Sequence, residues 1–378
     1  IQVLTQEVDR DQYTPRLRFP EGVVPAELEE LASLLQDAFT DLVLLLEKLN
    51  KEVNALVDED YPTVPRVDIE NVLPVLGSWL SRAEANLALW SSYADTSVNK
   101  AFPYARWITL LEFNDLSDFE IVSSPILASR ALEKDLWSRC FGAVVTSATL
   151  TALNSFDRFK IRAGTKDEYI YSVVPSPFDY TKNAQLIIPE GALEANNALA
   201  HTDSVIELLP KIIDEYSGTL VLFSSRKQML DVYEDLSRDI RKLVLMQGVE
   251  SKQALVRKHK HRIDAGEGSV LFGLASFAEG IDLPGNYCTH VIIAKIPFAV
   301  PDDPIEAALA EWIENSGGNA FMQITVPDAA VRLVQACGRL LRTETDIGKI
   351  SILDKRLLTK RYGRALLDSL PPFGGGIR

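Results

Sequence analysis

The sequence predicts an α/β fold: a parallel sheet with helices on both faces, preceded by a mostly helical region. Three observations lead there. From residue 184 onward, short apolar strands alternate with amphipathic helices, the pattern of a parallel sheet covered on both sides. Over the first hundred residues, apolar positions recur at three- and four-residue steps in two long runs, the period of helices. At 378 residues and 47% hydrophobic content, the chain can bury the core that two or three domains need.

In chain order, residues 1–25 show no clear periodicity. From Pro25 the residues Leu28, Leu31, Leu35, Leu42, Leu45, Leu46, Leu49, Val53 and Leu56 mark a long helix running to Val57. The segment 58–65, with Pro62 and Pro65, breaks it. Val72, Leu76, Trp79, Leu80, Ala83, Leu87, Trp90 and Tyr93 mark a second helix, so the two read as an antiparallel hairpin. Tyr104–Phe113 and Phe119–Ser124 alternate like strands. Ala128–Cys140 is predicted helical, and Phe141–Leu150 a buried strand opening into Thr146, Ser147 and Thr149. That hydroxylated tip has two readings, a phosphate contact or a helix cap. Pro175–Tyr180 reads as a linker. Strands follow at 184–188, 218–225, 242–248, 269–273, 290–295 and 349–354. Helices fall at 204–216, 226–238, 251–265, 304–313, 327–342 and 361–370.

Charge and cysteines bound the function. The net charge of −14 is uneven: residues 1–200 carry 17 basic and 30 acidic side chains, residues 201–378 carry 22 and 23. The acidic first half suits a solvated insertion or a partner surface. Lys252, Arg257, Lys258, Lys260 and Arg262 cluster in the second half, read either as an ordinary charged helix face or as local positive charge for phosphates. Cys140, Cys288 and Cys337 form no C-x-x-C pair and cannot by themselves build a zinc or iron–sulfur site, so no metal site is expected here. Three unclustered thiols fit a reducing cytoplasm. No run of eighteen apolar residues and no secretory leader is seen, so no membrane association is expected. The chain begins with Ile rather than Met, which reads as a fragment or a processed chain.

Two motifs carry chemistry. The strand ending at residue 273 runs into a Gly-rich acidic turn with Glu279, Gly280 and Asp282. Such turns lie at the carboxyl ends of parallel strands, where α/β proteins bind nucleotides. About fifty residues later comes Gln335-Ala-Cys-Gly338-Arg339-Leu-Leu-Arg342. On a continuous helix, Gln335, Arg339 and Arg342 share one face, and two guanidinium forks there suit phosphate oxygens. The alternative for the pair is a solvated helix face. Gly338, a poor helix former, suggests close approach by a ligand or another chain. Ser225, Arg226, Gln247 and Ser276 also fall at strand ends, where Ser225 and Arg226 can grip a phosphate. Asp282 is read either as a ribose or arginine partner or as a turn residue.

Taken together, Thr146–Thr149, Leu220–Ser225, Ser276–Asp282 and Gln335–Arg342 resemble motifs III to VI of superfamily 2 DNA helicases. Ser276-Phe-Ala-Glu-Gly280 and the tail Asp354–Asp368 look like the DinG type within the XPD-like, iron–sulfur group. The resemblance covers about residues 100–373, and the preceding hairpin is similar to that group's arch domain. It implies a RecA-like motor fold and an ATP-driven 5′-to-3′ DNA helicase. It implies Arg342, Arg339 and Gln335 in catalysis, with Arg342 as the arginine finger. Gly280, Asp282, Glu279 and Gly338 would face the nucleotide. Ser225, Arg226, Gln247, Ser276 and Thr149 would lie along DNA. ATP and Mg²⁺ would be shared with a first motor domain, and a 4Fe-4S cluster is expected only in the full-length protein.

The chain lacks a G-x-x-x-x-G-K-[ST] loop, an Asp-Glu-Ala-His box and a four-cysteine cluster. The division expected is therefore an arch-like domain at 1–100, a remnant of the first motor domain and a linker at 101–180, and the second motor domain at 181–378. The expected partners are single-stranded and forked or structured DNA, with single-strand-binding or replication proteins as further candidates, for a monomer. By itself the chain is expected to be inactive. Two competitors are a non-catalytic docking module of the same fold and a different α/β enzyme such as a nucleotide-sugar transferase.

Overall fold

A computed structural model describes residues 15–58, 65–95, 103–113, 116–274, 277, 280–299 and 303–375. The chain forms two compact units, one of residues 1–128 with 301–320, the other of 129–300 with 321–378.

In the first unit, helix α1 (Ala26–Asp58) packs along helix α2 (Arg66–Ala94). Gly77 and Pro74 of α2 are the only glycine and proline in the pair, so each helix runs for many turns. Phe19, Val24, Leu28, Ala32, Tyr93 and Ile108 form one buried cluster, and Val43, Leu46, Leu76 and Ala83 another. Strands β1 (Arg16–Phe19), β2 (Tyr104–Phe113) and β3 (Leu116–Pro125) pair antiparallel. β1 is not legible in the sequence: four residues are too few to show a period. The buried Arg106 donates to the carbonyls of Gly22 (2.6 Å) and Asp95 (3.2 Å) and to Ser92 Oγ (3.2 Å), which satisfies a cation that burial would otherwise penalise. Tyr93 Oη donates to the carbonyls of Trp107 and Val122. A later helix at Pro304–Asn315 returns to this unit, where Glu311 pairs with Arg18 (2.5 Å) and accepts from the Glu21 amide (2.8 Å).

The second unit is built on six parallel strands: β4 (Ala184–Ile187), β5 (Gly218–Phe223), β6 (Val244–Met246), β7 (Ser269–Leu274), β8 (His290–Ile293) and β9 (Gly348–Ile352), in the order β4-β9-β8-β5-β7-β6. Leu220 on β5 stands opposite Leu271 on β7 and Val291 on β8, and all three are buried. Strands buried on both faces read as near-continuous apolar runs, which is why this sheet is visible in the sequence. Helices α3 (Asp157–Ala163), α4 (Ala198–Ile212), α5 (Arg226–Asp235), α6 (Arg238–Leu243), α7 (Lys252–Asp264), α8 (Pro304–Asn315, in the first unit), α9 (Val326–Cys337) and α10 (Arg361–Asp368) complete the principal helices. The α/β fold with a parallel sheet and a preceding helical region is thus as predicted.

Three buried histidines find polar partners inside this core. His259 Nδ1 lies 2.9 Å from Ser269 Oγ and its Nε2 2.7 Å from the Tyr287 carbonyl. His290 Nε2 lies 2.8 Å from Ser351 Oγ, joining β8 to β9. His201 lies between the Leu353 carbonyl (3.0 Å) and Gln228 Nε2 (2.9 Å). Burial lowers the pKa of all three, His290 to about 3, so each is neutral.

Two expected elements differ most. Residues 141–150, read as a buried strand, carry neither helix nor strand, and Phe141 and Val144 are exposed. β-branched residues make a strand only against a partner's backbone, and these residues have no strand partner among the described residues. The helix expected at 327–342 ends at Cys337.

Candidate nucleotide-facing site

The site forms where the turn after α9 meets the turn after β7, both within the second unit. Helix α9 buries Val326, Ala329, Ala330, Leu333, Ala336 and Cys337 along one face. Gly338 takes the cap position, its amide still donating to the Val334 carbonyl (2.9 Å). The amides of Arg339 and Leu340 then donate back to Ala336 and Cys337, a tighter turn than an α-helix. Leu340 and Leu341 enter the core, leaving Arg339 and Arg342 half-buried at its edge. So the arginines do not share a helix face with Gln335, as the spacing suggests. The buried leucine pair turns the chain, and the turn brings the two guanidiniums together.

Both arginines reach one carbonyl. Arg342 Nη2 donates to Ile281 O at 2.8 Å and Arg339 Nη1 to the same oxygen at 3.4 Å. Arg342 Nε lies 3.2 Å from Asp282 Oδ1, a carboxylate that is itself 72% exposed. Gly280, one residue before Ile281, is exposed and has φ near +70°, a conformation that favours glycine. Gly338 is exposed as well. Two part-exposed guanidiniums thus stand beside one exposed carboxylate, anchored on the carbonyl of a buried residue, and such an assembly can receive phosphate oxygens.

Asp346, not among the residues expected at the site, holds this turn. The residue is 6% exposed. Oδ2 accepts from the amides of Arg342 (2.7 Å) and Thr343 (2.9 Å), and Oδ1 from Thr343 Oγ1 (2.5 Å) and the Gly285 amide (3.1 Å). Burial pushes the carboxyl up, but these hydrogen bonds, Thr343's side chain first, outweigh it and hold the pKa below the ordinary value. A Thr-x-x-Asp turn four residues past an arginine is the signal that marks it.

Gln335 Nε2 donates to Thr149 Oγ1 at 3.1 Å, so these two expected site residues meet, though away from the arginine turn's hydrogen bonds. Nearby on α9, the buried Asp328 accepts from Arg158 and from Arg162 (2.8 Å) of α3. The expected strand-end residues fall on neighbouring strands, since β7 lies between β5 and β6. Ser225 caps α5, accepting from the Gln228 amide at 3.4 Å. The exposed Arg226 lies alongside Gly248, where an added Cβ would sit 3.7 Å from Nη2. Gln247 Oε1 accepts from the Leu274 amide (2.8 Å), joining the end of β6 to that of β7. Ser276 and Glu279 lie outside the described residues.

No cluster of metal-ligating side chains occurs among the described residues. The thiols do not fit a cluster either: Cys288 and Cys337 are buried, with burial pushing each pKa up to about 12, and Cys140 is only partly buried. No helix among the described residues is long and apolar enough to cross a membrane.

Residues 207–373 match the family described as helicase C-terminal domain. Over 361 residues the chain is 42% identical to the ATP-dependent DNA helicase DinG of Photobacterium profundum, covering 94% of this chain and 52% of that protein. It is 32% identical to the helicase of the same name from Escherichia coli (strain K12), covering 94% and 50%. The chain spans about half the length of the curated relatives it matches. Among solved structures, an XPD helicase aligns with a TM-score of 0.52 at 16% identity, covering 96% of this chain and 65% of that one. An apo XPD structure aligns at 0.50, again at 16% identity, covering 85% and 64%. At that identity the likeness establishes the fold.

Proposed function

We infer function from the premise that this chain belongs, through residues 207–373, to the helicase C-terminal domain family in its DinG-type, XPD-like form. The chain is the arch and second motor domain of an ATP-dependent DNA helicase, and it works with a first motor domain that supplies the phosphate loop and the Mg²⁺ ligand. The convergence of Arg342 and Arg339 on Ile281 O, with Asp282 beside them, carries this reading. In such motors an arginine meets the transferring phosphoryl group of a nucleotide held by the other domain. Arg342, with the shorter contact and the carboxylate partner, is the finger; Arg339 stands second, and Gln335 steadies α9 through Thr149.

ATP binds Gly280, Asp282, Glu279 and Gly338 on this side, with Mg²⁺ held by the other motor domain. The iron–sulfur cluster belongs to the full-length protein, because the three cysteines here are not a ligand set. Single-stranded DNA lies along Ser225, Arg226, Gln247, Ser276 and Thr149, at the ends of neighbouring strands. The exposed apolar residues Phe141, Val144, Val173 and Val174 fit a strip that completes the sheet of the first motor domain. The working protein is a cytoplasmic monomer that unwinds forked DNA in repair or replication with 5′-to-3′ polarity.

The test is Arg342→Lys in the ATPase-competent protein that carries this chain with its first motor domain. Lys keeps the charge and loses the planar fork. Fingers of this kind contribute about 10³–10⁵ in rate, so turnover should collapse while DNA affinity and melting temperature hold. Turnover within a few-fold of the parent passes the role to Arg339. A sharply lowered melting temperature makes the turn structural. The chain by itself should show no DNA-stimulated ATPase.

A further inference from the structure

We propose that Asp346 is a positioning residue that sets where Arg342 stands, an inference that rests on reading Arg342 as the phosphate-facing arginine.

The geometry is a closed ring of contacts between two segments. One segment, 281–285, supplies Ile281 O and Asp282 at one end and the Gly285 amide at the other. The second, 339–346, supplies the arginines at one end and Asp346 at the other. Arg342 is therefore held twice. Its guanidinium is tied forward to Ile281 and Asp282. Its own amide is tied back to Asp346 Oδ2, while Oδ1 of the same carboxylate grips the Gly285 amide. Asp346 thus sets the spacing of the two segments whose side chains form the site. Gly285 has φ near +62°, so the turn that presents its N–H to Asp346 favours glycine.

The chemistry requires an ionised carboxylate. Four donors converge on one buried group, two on each oxygen. Only a carboxylate accepts at both atoms. Asparagine is the same size, yet its NH₂ faces either the two amides of Arg342 and Thr343 or the Gly285 amide beside the Thr343 hydroxyl, so at least one backbone donor is left unpaired whichever way it turns. Because nothing in Asp346 itself faces solvent enough to meet a nucleotide, its influence on catalysis runs through Arg342.

The experiment is a double-variant cycle in the ATPase-competent protein, with Asp346→Asn and Arg342→Lys singly and together. A displacement of about 1 Å at a catalytic group costs about 10²-fold in rate. Asp346→Asn should therefore lower kcat by about that factor, with KM for ATP within about threefold. In the Arg342→Lys background the same substitution should cost less than about threefold, because the group it positions is gone. Thr343→Val, which removes one of the four donors and keeps the charge, should give a smaller fall in kcat, and Thr343→Ser should restore it. That pair also serves if Asp346→Asn does not fold. Turnover sensitive to Arg342→Lys but not to Asp346→Asn or Thr343→Val overturns this inference alone. So do fully additive losses in the double variant, or a loss confined to KM. Turnover insensitive to Arg342→Lys overturns the parent reading, and this inference with it.

Discussion

Single residues decide how the second unit's edge is held. Asp328 is 6% exposed and accepts from two arginines of α3, Arg158 and Arg162, which are each about a quarter to a third exposed. The carboxylate is buried and the cations are half in water, so solvent screens part of the attraction. Removing the acid still takes a charged partner from two guanidiniums that lie against a packed helix. Asp328→Ala should cost about 2 kcal/mol, in the range of hydrogen bonds to charged groups. Urea denaturation of the chain checks it, and Arg158→Ala in the Asp328→Ala background should add little, since the pair is coupled. Arg342 presents the opposite balance. Its ion-pair partner Asp282 is exposed and its own side chain is 30% exposed, so its replacement should leave stability near the parent's and act on chemistry.

At the scale of elements, two glycines show opposite uses of a missing side chain. Gly338 ends α9, and a Cβ there would meet the Val334 carbonyl at 3.2 Å, a contact the backbone can relieve. Gly218 opens the central strand β5, and a Cβ there would lie 2.3 Å from the Tyr287 carbonyl. That obstacle is backbone, itself fixed by Cys288 and the following strand β8, so neither side can move cheaply. Gly218→Ala should destabilise the chain by about 3 kcal/mol, the upper range for overpacking. Thermal melting compared with Gly338→Ala, expected near the parent's, separates packing from propensity. The apolar period of α9 is plain in the sequence, but it continues through Leu340 and Leu341, which belong to the core rather than to the helix. Periodicity reports which residues are buried and is silent on whether the backbone between them is still helical.

For the whole molecule, three buried histidines couple folding to acid. His201, His259 and His290 have lowered pKa values in the folded chain, His290 near 3, against 6.5 for an ordinary histidine. Below about pH 6.5 the unfolded chain takes up protons that the folded chain refuses, so stability rises with pH and falls as pH drops towards 3. Each histidine that stays neutral contributes up to about 1.4 kcal/mol of loss per pH unit. Urea midpoints measured at pH 7.5, 6 and 5 should fall steadily. His290→Asn, which keeps a partner for Ser351, should flatten the slope. A flat profile in the parent would show that these rings are not held neutral. The proposed DNA contact is likewise a property of the assembled sheet, at the carboxyl ends of β5, β6 and β7. Two or three phosphate contacts through Arg226 and its neighbours give a salt slope of about −2 for single strands. Fluorescence anisotropy of the chain with single-stranded DNA should show weak, salt-sensitive binding that Arg226→Ala weakens further. Tight binding indifferent to salt would speak for a docking role instead.

The parallel sheet, the two long helices and the pairing of an acidic turn with a doubled arginine are all readable in the sequence by itself. Strands buried on both faces and helices buried on one leave their periods in the chain. Tertiary structure alone decided the rest. Residues 141–150 have the composition of a strand, but strands are made by partners, and pairing is not written in the segment that lacks one. Asp346 has the composition of an ordinary turn residue. Its weight comes from Gly285, sixty-one residues earlier, whose amide only the folded sheet brings to 3.1 Å. A local pattern records what each residue buries, whereas a hydrogen bond between distant turns depends on how strands of the sheet are ordered. That order, β5 between β8 and β7, was set by packing across the whole unit.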